Sequence, residues 1–141
     1  MRIGVPKEIK PQENRIGLTP DSVKTLVSEG HEVLVENNGG FEAGFDNDQY
    51  KNAGAKIIEK AADIFNDAEI IVKVKEPQKV EVEMIRENQI VYTYLHLAAA
   101  KELTEGLVKS KSINIAYETI TDDNGRLPLL APMSAVAGRM S

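Results

Sequence analysis

The sequence contains no cysteine and only two histidines. Without cysteine the chain forms no disulfide and offers no thiolate to a metal ion. Two isolated histidines, His31 and His96, do not make a metal site either. The absence of disulfides is typical of cytoplasmic proteins. We therefore expect no metal centre and a cytoplasmic location.

Long apolar runs and basic patches are missing as well. The longest apolar runs are far shorter than the roughly 20 residues of a membrane-spanning helix. Met1 leads directly into a strand-like segment, with no signal peptide before it. Seventeen basic and 22 acidic side chains give a formal charge of −5. These features argue against a membrane and against nucleic acid as partners.

The residues that are present have the balance of a soluble globular protein. Of the 141 residues, 42% are hydrophobic and 28% are charged. A chain of this length buries roughly 70% of its unfolded surface when it folds as one domain. We therefore expect one domain with a substantial hydrophobic core.

Strand patterns and helix patterns alternate along the chain. The predicted strands are Arg2–Val5, His31–Glu36, Lys56–Ile58, Glu69–Val74, Ile90–Tyr94 and Ser112–Tyr117. The predicted helices are one opened by Thr19-Pro20-Asp21 and ended by Gly30, and those at Asp46–Ala53, Lys60–Asn66, Ala98–Lys109 and Pro132–Ser141. Residues 6–18 predict a loop, or a short strand near Arg15–Leu18. The alternation indicates an α/β fold with three layers, a parallel sheet between helices on both faces.

Two polar residues follow consecutive predicted strands. Lys75 comes directly after Glu69–Val74, and His96 comes two positions after Ile90–Tyr94. Ligands of parallel sheets bind beyond the carboxyl ends of the strands, so both side chains should lie in one crevice. Histidine titrates near neutral pH, which suits proton transfer, and lysine can donate to a carbonyl or carboxylate oxygen.

Spacing alone leaves alternatives open for these candidates. His96 could be a structural histidine, and Lys75 could be a solvated lysine paired with Glu76. Lys73 has the same neighbours and competes with Lys75 for the same role. The alternating pair of Tyr92 and Tyr94 predicts packing in the core or at an edge.

Arg15 lies in the charged loop and is a third candidate. A guanidinium binds a carboxylate through two parallel hydrogen bonds, which would position a small acid firmly. A salt bridge to Glu8 or Glu13 is the alternative. Ser134 is an ordinary N-cap candidate. Neither a Gly-x-Gly-x-x-Gly nor a Gly-x-x-x-x-Gly-Lys-Ser/Thr motif occurs, so the chain has no nucleotide-binding fingerprint.

Five segments, taken in chain order, resemble the alanine dehydrogenase family. Together they extend over essentially the whole chain. Any one segment would be weak evidence for the family, whereas five segments in register are specific evidence. The segments are Met1–Glu8 (MRIGVPKE), Glu13–Pro20 (ENRIGLTP), Val72–Pro77 (VKVKEP), Thr93–Ala98 (TYLHLA) and Leu130–Met140 (LAPMSAVAGRM).

This resemblance implies NAD-dependent oxidative deamination of L-alanine to pyruvate and ammonia. Carried over position by position, Arg15 would hold the substrate carboxylate, Lys75 would bind the substrate and polarise its carbonyl oxygen, and His96 would be the catalytic general acid/base. Ser134 would contact the cofactor. Assembly as homo-oligomers, commonly hexamers, is implied as well.

The resemblance also implies a Rossmann-like domain that is part of a longer protein. Residues 1–129 would form the substrate-binding, catalytic domain, and residues 130–141 would begin a linker helix into a further domain that binds most of the NAD. The family's second catalytic carboxylate would lie in that further part. The chain alone is therefore expected to be inactive and to expose apolar surface where later helices pack.

Two other functions stay open. The alpha subunit of proton-translocating transhydrogenase has a similar start, but that family lacks a histidine in the segment matching Tyr94–Leu97. A stand-alone binding module without catalysis would also fit the fold. The presence of Arg15, Lys75 and His96 together favours the enzyme.

Overall fold

One parallel sheet of six strands forms the centre of the fold. The structure, a computed structural model, describes residues 1–140 apart from the side chains of Ser134, Val136, Ala137 and Met140. The strands are β1 Arg2–Val5, β2 Glu32–Glu36, β3 Lys56–Ile58, β4 Ile70–Val72, β5 Ile90–Thr93 and β6 Ile113–Ala116. Their order across the sheet is β3-β2-β1-β4-β5-β6, and every neighbouring pair is parallel. The predicted α/β class with a parallel sheet is confirmed.

Helices connect the strands. They are α1 Pro20–Ser28, α2 Asn47–Asn52, α3 Ala61–Asp67, α4 Lys79–Val82, α5 Lys101–Ser110 and α6 Ala131–Met140, with short 3₁₀ turns at Phe41–Ala43, Leu97–Ala99 and Tyr117–Thr119. The start of α1 is the one that the sequence predicts. Thr19 Oγ1 accepts the backbone N–H of Ser22 at 3.2 Å, and Pro20 occupies the first turn.

Some local features differ from the sequence-based expectation. Residues 6–18 form a loop, so the strand considered near Arg15–Leu18 is wrong. Strand β4 ends earlier than predicted, at Val72. Hydrogen bonds to the β5 side continue as far as Val74, whose carbonyl accepts the Tyr94 N–H, but the Val74 N–H is donated to a Glu8 carboxylate oxygen at 3.1 Å instead of to a neighbouring strand. Helix α4 was missed because four residues form barely one turn and show no helical periodicity.

Each face of the sheet has its own apolar cluster. On one face, residues such as Val33 and Val35 pack against Val23 of α1 and Tyr50 of α2. On the other face, Leu34, Ile71 and Val91 pack against α3 and α5 through a second set that includes Ile64, Phe65 and Leu107. The face that carries α1 and α2 is uncovered over β6, where Ile113 is 50% exposed and Ile115 is 39% exposed.

The strand order places a crevice at the middle of the sheet. The chain runs outward from β1 to β3, then returns to the other side of β1 to begin β4. The loops that leave β1 and β4 therefore separate at their carboxyl ends, which is the usual ligand position in such sheets. The loops after β1, β4 and β5 carry Arg15, Lys75 and His96, the candidates that the sequence offers.

Candidate active site

Lys75 and His96 meet at the ring of Tyr94. The Lys75 Nζ lies 5.3 Å from the centroid of this ring. The His96 imidazole stacks on it, with 5.7 Å between ring centroids and 11° between ring planes. The Tyr94 hydroxyl lies 3.1 Å from His96 Nδ1. Lys75 and His96 thus lie around one aromatic ring at the carboxyl edge of the sheet, and their sharing of one ligand crevice stays a prediction.

The loop that carries Arg15 lies against the end of β4. Gly17 allows this approach, because a Cβ at that position would lie 2.6 Å from the Val72 carbonyl oxygen. Ile16 is buried in the core beside it, whereas the Arg15 side chain is 55% exposed. The guanidinium lies within electrostatic reach of Tyr117, whose ring centroid is 6.1 Å from that of Tyr94. Arg15 thus belongs to the same edge of the sheet as Lys75 and His96.

Arg15 is bound to Glu13, one of the two partners considered from the sequence. Arg15 Nη2 donates to Glu13 Oε1 at 2.6 Å, and Nε donates to Oε2 at 2.9 Å. The hydrogen bond from Arg15 lowers the pKa of Glu13, and the charge of Lys75 adds a smaller effect in the same direction. The same bond raises the pKa of Arg15. Glu13 therefore occupies the fork that an external carboxylate would use.

Lys73 lies in a buried ion cluster with two glutamates. Its Nζ lies 2.9 Å from Glu8 Oε1 and 3.1 Å from Glu81 Oε2, and all three side chains are at most 2% exposed. Burial raises the pKa of Glu81. This arrangement removes Lys73 as a competitor of Lys75, because its ammonium is enclosed by protein groups.

Glu8 also holds the backbone that carries Lys75. Its two carboxylate oxygens accept the N–H groups of Val74 and Lys75, each at 3.1 Å. The carbonyl of Lys75 accepts the Thr93 hydroxyl at 2.9 Å, which ties the segment to β5. Glu76 is engaged by Lys10 at 2.6 Å, so the pairing of Lys75 with Glu76 considered from the sequence is wrong.

Tyr117 closes the site from the side of β6. Its hydroxyl donates to the Val74 carbonyl at 2.8 Å, and burial raises its pKa to about 12. The hydroxyl therefore stays protonated and remains a donor throughout the neutral range. Together with Tyr94, Tyr117 forms an aromatic wall beside Lys75 and His96.

Sequence reasoning missed the aromatic part of the site. It assigned Tyr92 and Tyr94 to packing, and this holds for Tyr92, which packs against the core and against Tyr117. Tyr94 packs as well, against Tyr117, but it also contacts Lys75 and His96, which the sequence-based expectation did not include. The available signal was the spacing of Tyr94 and His96, because residues two apart leave a strand on the same side.

Two remaining residues of interest lie elsewhere. Ser134 lies in α6, and its side chain is outside the described residues. His31 is half-buried at the amino edge of β2, opposite the site, and its Nδ1 has no hydrogen-bond partner among residues 1–140. Within that same range, no group of three or more histidine, aspartate or glutamate side chains could hold a metal ion.

The residues at the crevice do not fit the pyrophosphate of a dinucleotide. In sheets that bind one there, β1 leads through a glycine-rich turn into a helix whose N-terminus faces the phosphates. Here β1 leads through Pro6 and Lys7 to the buried carboxylate of Glu8.

A separate groove of about 830 Å³ between α4 and α5 contains none of Arg15, Lys75 and His96. Among residues 1–140, no helix is long and apolar enough to cross a membrane.

Comparison with known proteins gives consistent matches. A family model described as "Alanine dehydrogenase/PNT, N-terminal domain" matches residues 4–137. The alanine dehydrogenase of Staphylococcus epidermidis is 52% identical over all 141 residues. A solved L-alanine dehydrogenase superposes on 99% of the chain with a TM-score of 0.95 and 51% identity. A transhydrogenase from Sinorhizobium meliloti superposes on 85% of the chain with a TM-score of 0.80 and 28% identity.

The chain spans a minor part of these proteins. It covers 38% of the Staphylococcus epidermidis protein and 38% of the solved L-alanine dehydrogenase. It covers 36% of the transhydrogenase chain. The similarity therefore concerns one domain of each.

Proposed function

The chain belongs to the alanine dehydrogenase/PNT family through that family's N-terminal domain, and on this premise we propose that it is the substrate-binding part of an NAD-dependent alanine dehydrogenase. The reaction is the reversible oxidative deamination of L-alanine to pyruvate and ammonia. The observation that carries the proposal is the meeting of Lys75 and His96 at Tyr94, with Arg15 in the loop that packs against the end of β4 at the same edge of the sheet.

Arg15 has the chemistry to hold the substrate carboxylate. Its guanidinium already makes two parallel hydrogen bonds with a carboxylate, that of Glu13. A substrate carboxylate would replace Glu13 with the same geometry. The carboxylate must stay fixed while bonds change at the neighbouring carbon, and a rigid cation supplies that restraint.

Lys75 and His96 would act on the oxygen and nitrogen of the substrate. The Lys75 ammonium would donate to the carbonyl oxygen of pyruvate and draw electron density from the carbonyl carbon. When ammonia adds to that carbon, a carbinolamine forms, and His96 would give a proton to its departing hydroxyl as water leaves. In the opposite direction His96 would take a proton from the water that attacks the imine. The Tyr94 hydroxyl engages Nδ1, which leaves Nε2 as the nitrogen for this transfer.

The rest of the enzyme would supply the cofactor. NAD would serve as the oxidant, and because residues of this chain do not fit its pyrophosphate, it would be held mainly by a further domain. In this proposal residues 1–129 are the substrate-binding domain, and residues 130–141 begin the linker helix, where Ser134 would touch the cofactor. The exposed Ile113 and Ile115 give later helices an apolar surface to cover. A cytoplasmic homo-oligomer, with the hexamer as the specific expectation, completes the proposal.

NADH formation from L-alanine and NAD, followed by absorbance in the full-length gene product, tests this function. We expect activity in the wild type. In Arg15→Lys we expect KM for alanine to rise roughly 10- to 100-fold, because lysine keeps the charge and loses the paired hydrogen bonds. Arg2→Lys is the matched control, since Arg2 pairs with Glu32 at the amino edge of the sheet and should leave KM unchanged.

A wild type without alanine-dependent activity would reject the dehydrogenase. Nucleotide-to-nucleotide hydride transfer together with a membrane partner would then favour a transhydrogenase, the function named for the more distant structural neighbour. Binding of pyruvate without any turnover would favour a non-catalytic binding module.

Glu13 should compete with the substrate for Arg15. In Glu13→Gln we expect KM for pyruvate to fall by about two- to fivefold with kcat unchanged, because the Arg15 end of the pair is 55% exposed and solvent screening keeps its contribution modest, although the Glu13 side chain is only 7% exposed. Steady-state amination kinetics measure this, with Glu29→Gln at the exposed end of α1 as the control. A KM that rises instead would mean that Glu13 supports Arg15 rather than competing for it.

A further inference from the structure

A carboxylate from a neighbouring strand end holds the turn that carries His96. Glu118 Oε1 accepts the backbone N–H of His96 at 2.9 Å and that of Leu95 at 3.1 Å, and Oε2 lies 3.3 Å from the Leu95 nitrogen. Hydrogen bonds to an ionised acceptor are stronger than those between neutral groups. One side chain thus fixes two consecutive peptide groups.

The sheet register explains why Glu118 reaches this turn. In the pairing of β5 with β6, Thr93 lies opposite Ala116 at the carboxyl ends of both strands. Two residues further along each chain, Leu95 and Glu118 leave the sheet at the same level. The 3₁₀ turn Tyr117–Thr119 then directs the glutamate back toward β5.

The backbone of His96 needs such support. Its φ and ψ are 48° and 47°, in the left-handed region that residues other than glycine seldom adopt. Leu95 is 1% exposed and anchors the turn from below, while the His96 side chain is exposed. The orientation of the imidazole on Tyr94 therefore depends on how firmly the peptide groups of the turn are held.

We propose that Glu118 is a positioning residue for His96, and that its carboxylate keeps the turn in the left-handed conformation that stacks the imidazole on Tyr94. The proposal rests on the proposed function, in which His96 transfers the proton. Glu118 acts through the backbone of His96, because the hydrogen bonds that its carboxylate accepts come from the N–H groups of Leu95 and His96.

The first measurement is hydrogen exchange, followed by mass spectrometry, on peptides that cover residues 93–97 of the full-length gene product. Glu118→Gln keeps the shape of the side chain but replaces one acceptor oxygen by a donor. We expect the amides of Leu95 and His96 to exchange about tenfold faster or more, with little change elsewhere. Glu105→Gln removes the same charge from an exposed site on α5 and is the control.

The second measurement is steady-state kinetics on the same variants. We expect Glu118→Gln to lower kcat by roughly 10- to 100-fold, because a small displacement of the reacting group is costly, with KM for pyruvate within about twofold of the wild type. Glu118→Asp keeps the carboxylate on a shorter side chain and should recover part of kcat. If Glu118 merely stabilised the fold, Glu118→Gln would not lower kcat while leaving KM unchanged, and Glu118→Asp would not recover kcat.

The two measurements separate the two proposals. Unchanged exchange at Leu95 and His96 in Glu118→Gln overturns the positioning role, whatever the activity. Faster exchange with kcat retained, or a loss that appears in KM alone, overturns it too. If the wild type shows no alanine-dependent activity, the proposed function fails, and the exchange result alone decides whether Glu118 holds the turn.

Discussion

Replacing His96 with alanine is expected to lower kcat for alanine oxidation by roughly two to four powers of ten, the usual contribution of a general acid/base. Histidine is the side chain that enzymes use most often as a general acid/base. Its Nδ1 is engaged by the Tyr94 hydroxyl at 3.1 Å, so the variant removes a ring whose orientation the protein has already set. NADH formation by the full-length gene product measures the effect.

His31→Ala is the matched control for this experiment. His31 is the other histidine of the chain and lies at the amino edge of β2, away from Tyr94 and Lys75. We expect its kcat to match that of the wild type. If His96→Ala retained most of its activity, the proton transfer would have to be assigned to another group, and the roles of Lys75 and Tyr94 would need revision.

Replacing Lys73 with methionine is expected to lower the free energy of unfolding by about 3–5 kcal/mol, the usual cost of breaking a buried ion pair from one side. Methionine fills a similar volume but leaves Glu8 and Glu81 buried without their cation, and both are at most 2% exposed. Urea denaturation measures the loss. Because Glu8 also accepts the N–H of Lys75, we expect KM for pyruvate to rise in the same variant.

Glu81→Gln is the control that removes charge from the same cluster. Burial raises the pKa of Glu81 above its ordinary value of 4.5, so the folded state binds this proton more tightly than the unfolded state. The stability that Glu81 contributes is therefore complete below about pH 4.5 and is lost as the pH rises through the raised pKa. Glutamine cannot ionise, so we expect Glu81→Gln to flatten this pH dependence and to cost less than Lys73→Met at neutral pH.

The urea denaturation midpoints of both variants, measured between about pH 4 and pH 8, test these two expectations. A Lys73→Met variant as stable as the wild type would mean that the two carboxylates lose their charge or reach water when the ammonium is removed. A Glu81→Gln variant less stable than Lys73→Met would mean that the ionised Glu81 carboxylate contributes more to the stability of the cluster than the Lys73 ammonium does.

Much of the fold could be predicted because its signals are local. The strand of Ile90–Thr93 and the start of the helix at Thr19 follow from alternation and from capping within a few residues. The parallel arrangement follows from the alternation of strands with helices. The rule that ligands bind beyond the carboxyl ends was enough to place Lys75 and His96 at the same edge of the sheet. Helix α4 and the early end of β4 carried no comparable local signal.

The sequence by itself determined the class of fold, the residue types available for chemistry and the edge of the sheet at which they would gather. The tertiary structure alone decided that Lys73 is enclosed by Glu8 and Glu81, that Tyr94 joins the site, and that Glu118 holds the left-handed turn of His96. The periodicity of apolar residues indicates which face of a helix or strand is buried, and this pattern extends over only a few residues. The partner of a charge is chosen among groups that strand order brings together from distant positions, such as Glu8 and Lys73, so no local pattern contains it.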